Sequence, residues 1–189
     1  MNLFQSSPIA TPQAFDQLYQ RNRLPIFRYI YGLTGGPQED VEDLTAETFL
    51  HAWKARQRFD GDENNATGWL IRIAKRLVID DYRYRTFRTT RGQPPDHPAE
   101  PQPEQIALER DERQFLLALL EDLPDGQREI LVLRYMLGWR VGEIARHVGA
   151  TENNISVTIH RTLTRLREKW QEMEFAELPA MLISEEKIS

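Results

Sequence analysis

The chain has 189 residues, with 24 Lys and Arg against 29 Asp and Glu, four histidines and no cysteine. Disulfides, thiolate catalysis and thiolate metal sites are excluded, and His51, His97, His147 and His160 show no ligand spacing with acidic partners, so neither a metal nor a cofactor is expected. No run of 18 apolar residues is present, so no membrane insertion is expected, and MNLFQSSPIATPQAF lacks the basic-then-apolar order of an export signal, which makes a cytoplasmic protein the expectation.

The net charge of -5 is unevenly spread. Residues 1–91 carry 13 basic and 11 acidic side chains, 92–126 carry 2 and 9, 127–170 carry 8 and 4, and 171–189 carry 1 and 5. Two mildly basic blocks alternate with an acidic middle and an acidic tail. Phosphate contact depends on the local field of a binding face, so an acidic total does not exclude a nucleic-acid partner.

Helical periodicity dominates the whole length. Thr11-Pro12 reads as a cap plus first-turn proline, opening a helix that carries Phe15, Leu18 and Tyr19 inward; Pro25 is expected to bend or restart it before Ile26 to Tyr31. Gly35-Gly36-Pro37 marks a turn. The spacing of Val41, Leu44, Phe49 and Trp53 predicts a helix over Asp40 to Arg58, acidic at its start and basic at its end as the helix dipole favours. A polar loop, FDGDENNATG, precedes a long helix from Trp69 to about Arg85. At 100° per residue, Leu70, Ile73, Ala74 and Leu77 share a core face, and Arg72, Lys75, Arg76, Ile79 and Arg83 share the opposite, cationic face.

GQPPDHPAEPQPEQ contains five prolines and no large apolar residue, so it reads as an extended linker between domains. Beyond it, Ile106 to Leu123 reads as a helix with Phe115, Leu116, Leu119 and Leu120 inward, and a second helix runs from Pro124 to about Leu137 before Gly138. Val141 to Val148, the turn Gly149-Ala150-Thr151, and NNISVTIHRTLTRLREKW then give a short helix, a three-residue turn and a longer helix, which is helix-turn-helix spacing. Ile155, Ile159, Leu163 and Leu166 form the last helix's apolar face. Asn153, Asn154, Ser156, His160 and Arg161 supply base-edge and phosphate chemistry near its start. The same pattern also occurs in helical bundles that bind no DNA.

Phe49, Trp53, Phe59, Trp69, Tyr82, Tyr84 and Phe87 interleave with the cations of the N-terminal half, as a single-strand binder requires. Phe49, Trp53 and Trp69 read as core; Tyr82, Tyr84 and the loop residues 62–65 are left for contact. The acidic turn DVEDLTAE would repel DNA and is expected to face protein. No nucleophile–base arrangement is visible, and Asp80 and Asp81 point about 100° apart on their helix, so no enzyme is expected.

Together, DVEDLTAETFLHAW, WLIRIAKRLVIDDYR and LPDGQREILVLRYMLGWRVGEIARHVGATENNISVTIHRTLTRLR resemble, in order and spacing, bacterial RNA polymerase sigma factors of the extracytoplasmic-function group of the sigma-70 family. The resemblance implies an all-α chain with a region 2-like domain over 11–91, a flexible acidic Pro-rich linker over 92–105, a region 4-like helix-turn-helix domain over 106–171 and an acidic tail over 172–189. It implies core polymerase docking through Asp40, Asp43, Leu44, Glu47 and Phe49. It implies recognition of the -10 element, with the non-template strand unpaired, by Asp62, Asn64, Asn65, Arg72, Lys75, Arg76, Ile79 and Arg83. It implies duplex recognition at the -35 element by Asn153, Asn154, Ser156, Val157, His160, Arg161 and Arg165. Core RNA polymerase, promoter DNA and an anti-sigma factor are the partners it suggests.

The sequence departs from the family's usual residues at Ala46 (glutamine), which tempers the docking assignment, and at Arg76 (asparagine), Ser156 and Thr158 (Lys and Arg), and Asn153-Asn154 (Gly-Thr), which points to altered promoter preference. Phe175, Leu178, Met181, Leu182 and Ile183 make the tail more apolar than a solvated end requires, which suggests that it folds back on a domain or binds a regulator; the plainer reading is a frayed end with a short docking patch. The rival readings are a stand-alone helix-turn-helix regulator, which needs no polymerase, and a helical protein-interaction module, which needs no DNA.

Overall fold

A computed structural model of the chain describes residues 7–62, 65–90, 120 and 122–176. The expected linker 92–105, most of the helix expected over Ile106 to Leu123, and the tail beyond Ala176 lie outside the described residues. The described residues form an all-α structure: α1 Pro12–Thr34, α2 Gln38–Ala55, α3 Ala66–Thr90, α4 Asp125–Leu131, α5 Val141–Val148 and α6 Glu152–Ala176.

Local chemistry sets the helix ends. The Thr11 hydroxyl accepts from the Ala14 amide at 3.2 Å with Pro12 in the first turn, and α1 stops at Gly35, whose φ of 59° suits a residue without Cβ. Contrary to expectation, α1 runs unbroken through Pro25. Ile26, Tyr29 and Ile30 just beyond it are fully buried, and that burial outweighs the backbone hydrogen bond proline cannot donate. The helix α2 ends at Ala55 and tightens into a 3-10 turn over Arg56–Arg58. There Arg56 lies 3.4 Å over the Trp53 ring and donates to the carbonyls of Ala10 and Trp53.

The described residues divide into two compact units, one ending at Arg140 and the other beginning at Val141. In the first, α1, α2 and α3 pack pairwise, and α4 seats on α1. Val41, Phe49, Ala52, Ala66, Leu70, Ile71 and Ala74 join the α1 residues in the core. Ile71, absent from the expected stripe, is buried because α3 packs against two helices at once and therefore hides a wider arc. Tyr19, expected inward, is 38% exposed, with its ring edge-on to Phe49 at 4.8 Å. Asn22 satisfies its burial by donating to the Leu18 carbonyl and accepting from the Thr67 hydroxyl.

The sequence pattern groups Asp125–Met136 with the C-terminal helices, yet here it packs with the N-terminal ones. Gly32 is one reason. A Cβ at that position would lie 2.5 Å from Met136 Sδ and 2.7 Å from Val132 Cγ2, so only glycine lets α1 approach this closely. Val132–Met136 is a π-helical continuation of α4, closed by the Leu137 amide on the Val132 carbonyl at 3.2 Å.

The second unit is α5, a turn at Gly149 with φ of 74°, and α6. Ile144, Ala145, Ile155 and Thr162 are buried between its helices. Gly142 leaves room for the Glu152 carboxylate, whose Oε1 would sit 2.8 Å from a Cβ there.

Candidate nucleic-acid interface

Three surfaces carry the expected site residues. The first is the outer face of α2. Leu44 and Phe49 are buried and anchor this helix in the bundle rather than facing a partner. Asp40 is mostly covered, its carboxylate accepting from Arg85 Nη1 at 2.8 Å. Asp43 and Glu47 are exposed at i and i+4, with His51 Nε2 3.6 Å from Glu47. Leu50, half exposed at i+7 from Asp43, lies on the same face and was missed in the sequence; a leucine surrounded by buried neighbours reads as core until its angle on the helix is known. With Ala46 also exposed between them, the surface is acidic with a small apolar part, chemistry suited to a basic protein partner.

The second surface is α3. Arg72, Arg76 and Arg83 are exposed, and Ile79 between them is 38% exposed, so four of the expected residues share one outward arc. Their charges are partly answered from within. Asp80 sits 3.8 Å from Arg76 Nε and 4.0 Å from Arg83 Nη1, both highly exposed pairs of small energetic weight. Farther along, Arg85 donates to Asp81 at 2.7 Å as well as to Asp40. The hydrogen bond to Asp40, opposed by partial burial and aided by Asp81, holds the Arg85 guanidinium protonated even more firmly than usual. This bridge ties the later turns of α3 to the start of α2. Tyr82, Tyr84 and Phe87 are exposed rings beside it. In the preceding loop Asp62 accepts from the Asn65 amide at 2.8 Å, and both side chains are exposed; Asn64 lies outside the described residues.

Lys75 behaves differently from its neighbours. Its Nζ lies 2.6 Å from Glu129 Oε2, and Glu129 is 3% exposed. The other oxygen of Glu129 accepts from the Tyr29 hydroxyl at 2.9 Å. Burial first, and the Glu129 carboxylate second, push the Tyr29 hydroxyl far above its ordinary pKa, so it remains a donor at any working pH. Glu129 was not singled out in the sequence, because its partners stand 54 and 100 positions away and no local pattern announces them.

The third surface is α6. The Thr151 hydroxyl caps it by accepting from the Asn154 amide at 3.2 Å. Asn153, Ser156, Val157 and His160 form one exposed face, with Asn154, Arg161 and Arg165 exposed along its edge. Among the described residues no ion pair involves Arg161 or Arg165. The polar start and basic flank are the order that groove recognition uses, bases near the N-terminus and phosphates alongside. Thr158, one of the departures noted above, is half covered, whereas Ser156 stands open.

The chain is similar to known proteins over most of its length. A profile described as Sigma-70 region 2 matches residues 18–88, and one described as Sigma-70, region 4 matches residues 113–166. The ECF RNA polymerase sigma factor BldN of Streptomyces coelicolor is 34% identical over 172 residues; the match covers 88% of this chain and 65% of BldN, just under two thirds of its length. The ECF RNA polymerase sigma factor SigL of Mycobacterium tuberculosis is 27% identical over 158 residues, covering 82% of this chain and 88% of SigL. Among solved structures, CnrH in complex with the cytosolic domain of CnrY aligns with a TM-score of 0.64 at 24% identity, over 86% of this chain and 90% of that one. The sigma factor RpoE of Bartonella quintana, solved with the anti-sigma factor NepR, aligns with a TM-score of 0.62 at 23% identity, over 84% and 98%. The two structural likenesses show a shared helical fold.

Proposed function

The chain belongs to the extracytoplasmic-function group of the sigma-70 family of RNA polymerase sigma factors, and from that premise we propose that it directs core RNA polymerase to specific promoters and assists their opening. The observation that supports this reading is the presence of two separate exposed faces on one chain, the mainly cationic Arg72, Arg76, Ile79 and Arg83 on α3 and the polar and basic Asn153, Ser156, His160 and Arg161 on α6. Each face is small and would bind weakly by itself. Held on one polymerase, they bind as a tethered pair, and the second contact forms at high effective concentration.

The roles divide by chemistry. The helix α6 enters the duplex major groove at the -35 element, with Asn153, Asn154, Ser156 and Val157 toward base edges and Arg161 and Arg165 on phosphates. The face of α3 meets the non-template strand at the -10 element once it is unpaired, with Asp62, Asn64 and Asn65 receiving an extruded base. An interaction available only in the melted state shifts the promoter toward that state. Asp43, Glu47 and Leu50 dock on the polymerase. The work is binding rather than covalent chemistry, its place is the cytoplasm where the polymerase operates, and an anti-sigma factor that covers any of these faces would silence it. Among the described residues no helix is long and apolar enough to cross a membrane.

The test is reconstitution with core RNA polymerase on a library of promoter fragments. Initiation from a defined subset, dependent on this chain and lost in Asp43→Lys with Glu47→Lys, is the expected result. Tight, sequence-specific duplex binding that gains nothing from polymerase would instead identify a stand-alone regulator.

A further inference from the structure

Among the described residues, Lys75 is the one member of the α3 cationic set that contacts a buried carboxylate. Glu129 arrives from α4, which lies in the segment matched by the region 4 profile, and it holds Lys75 Nζ at 2.6 Å while Tyr29 holds its other oxygen at 2.9 Å. Arg128, the adjacent residue, donates to the Leu33 carbonyl at 2.8 Å and the Leu120 carbonyl at 2.7 Å. Gly32 lets Val132 and Met136 close against α1. Neighbouring Arg72 and Arg76, by contrast, point outward.

Resting on the reading that α3 contacts promoter DNA, we propose that Glu129 is a phosphate surrogate: docked α4 occupies Lys75 with a carboxylate, and α4 must leave before that lysine can take a backbone phosphate of the -10 strand. Carboxylate and phosphate are both anionic acceptors for an ammonium group, and one Nζ at 2.6 Å from Glu129 is not free for a second strong anion in the same direction. An ion pair with a buried carboxylate and a half-exposed lysine adds little net stability over a well-packed apolar contact, so fastening a helix does not by itself require a charge at 129. Neutralising a DNA-binding cation does. DNA and docked α4 thus compete, and whatever draws α4 away raises the affinity of α3 for single strands by the same factor. In the free chain docked α4 thereby withholds one lysine's contribution to strand binding.

The experiment measures binding of a fluorescein-labelled, mixed-sequence single-stranded DNA to the full chain across a salt series, with amide exchange of α4 followed in parallel. Glu129→Gln removes the surrogate charge. Gly32→Ala leaves every charge in place and pushes on Val132 and Met136, while alanine suits the interior of α1, so it guards against a misfolded Glu129 variant. Both should release α4 and bind the strand about fivefold tighter at low salt, with a log–log salt slope steeper by about 0.7 for one added phosphate contact. Both gains should vanish when Lys75→Ala is added, a dependence that loosened packing alone would not produce. Unchanged affinity and slope in variants whose α4 amides exchange faster would overturn the proposal, as would α4 amides that stay protected in both variants. Lys75→Ala in reconstituted holoenzyme separates this from the underlying reading. If it impairs promoter opening while the released variants gain nothing, the latch alone fails; if opening is untouched, the assignment of Lys75 to the -10 strand fails with it.

Discussion

The two helices proposed to meet DNA, α3 and α6, differ in how their charge is held. On α3, Arg76 and Arg83 flank Asp80, Lys75 faces Glu129, and Arg85 bridges Asp40 and Asp81. On α6, Arg161 and Arg165 stand exposed without an ion pair among the described residues. A strand binding α3 must exchange existing ion pairs for phosphate contacts, so the net gain is small and depends on the other interactions that unpaired bases offer. A duplex meeting α6 gains each contact outright. The difference suits a chain whose duplex contact comes early and whose single-strand contact should form only when the promoter has opened.

Substitutions can break or sharpen that contrast. The largest effect is expected for Arg161→Ala with Arg165→Ala, which should weaken duplex binding by the holoenzyme about 10- to 100-fold near 0.1 M salt and reduce the salt slope by about 0.9 per lost contact. Single-strand binding by the same variant should stay at its original level. Next is Ser156→Lys, which adds a charge to the open face of α6. Fluorescence anisotropy on the -35 duplex should report roughly threefold tighter binding and a slope steeper by about 0.9, and an unchanged curve would remove Ser156 from the interface. The smallest is Asp80→Asn. It relieves Arg76 and Arg83 of weak, exposed pairs, so single-strand affinity should rise only about twofold. A rise as large as that from Glu129→Gln would erase the distinction between exposed and buried partners on α3.

Much of this architecture was legible in the sequence. The helices, the glycine turn before α6 and the outward arc of Arg72, Arg76, Ile79 and Arg83 follow from apolar spacing and turn chemistry, which are local properties. What was hidden is tertiary. Pro25 marks a break by its own chemistry, and only the burial of Ile26, Tyr29 and Ile30 explains why α1 continues through it. Leu44 and Phe49 belong to the docking motif by resemblance, yet their side chains turn into the bundle and leave Asp43, Glu47 and Leu50 outside. Lys75 shares a helical face with the arginines, and nothing near it in sequence indicates that Glu129 will claim it. The placement of α4 was unreadable for the same reason, since it depends on the missing Cβ of Gly32 meeting Val132 and Met136 across the fold.

The division of labour between the two helices is tested most directly by footprinting one promoter with two holoenzyme variants, reading upstream duplex protection and permanganate reactivity of unpaired -10 thymines together. Arg161→Ala with Arg165→Ala should lose upstream protection. Arg72→Ala with Arg76→Ala should keep that protection while the thymines lose reactivity. If the arginines of α3 prove necessary for upstream protection, or both pairs abolish both signals equally, the two helices do not read separate forms of DNA and the account is wrong.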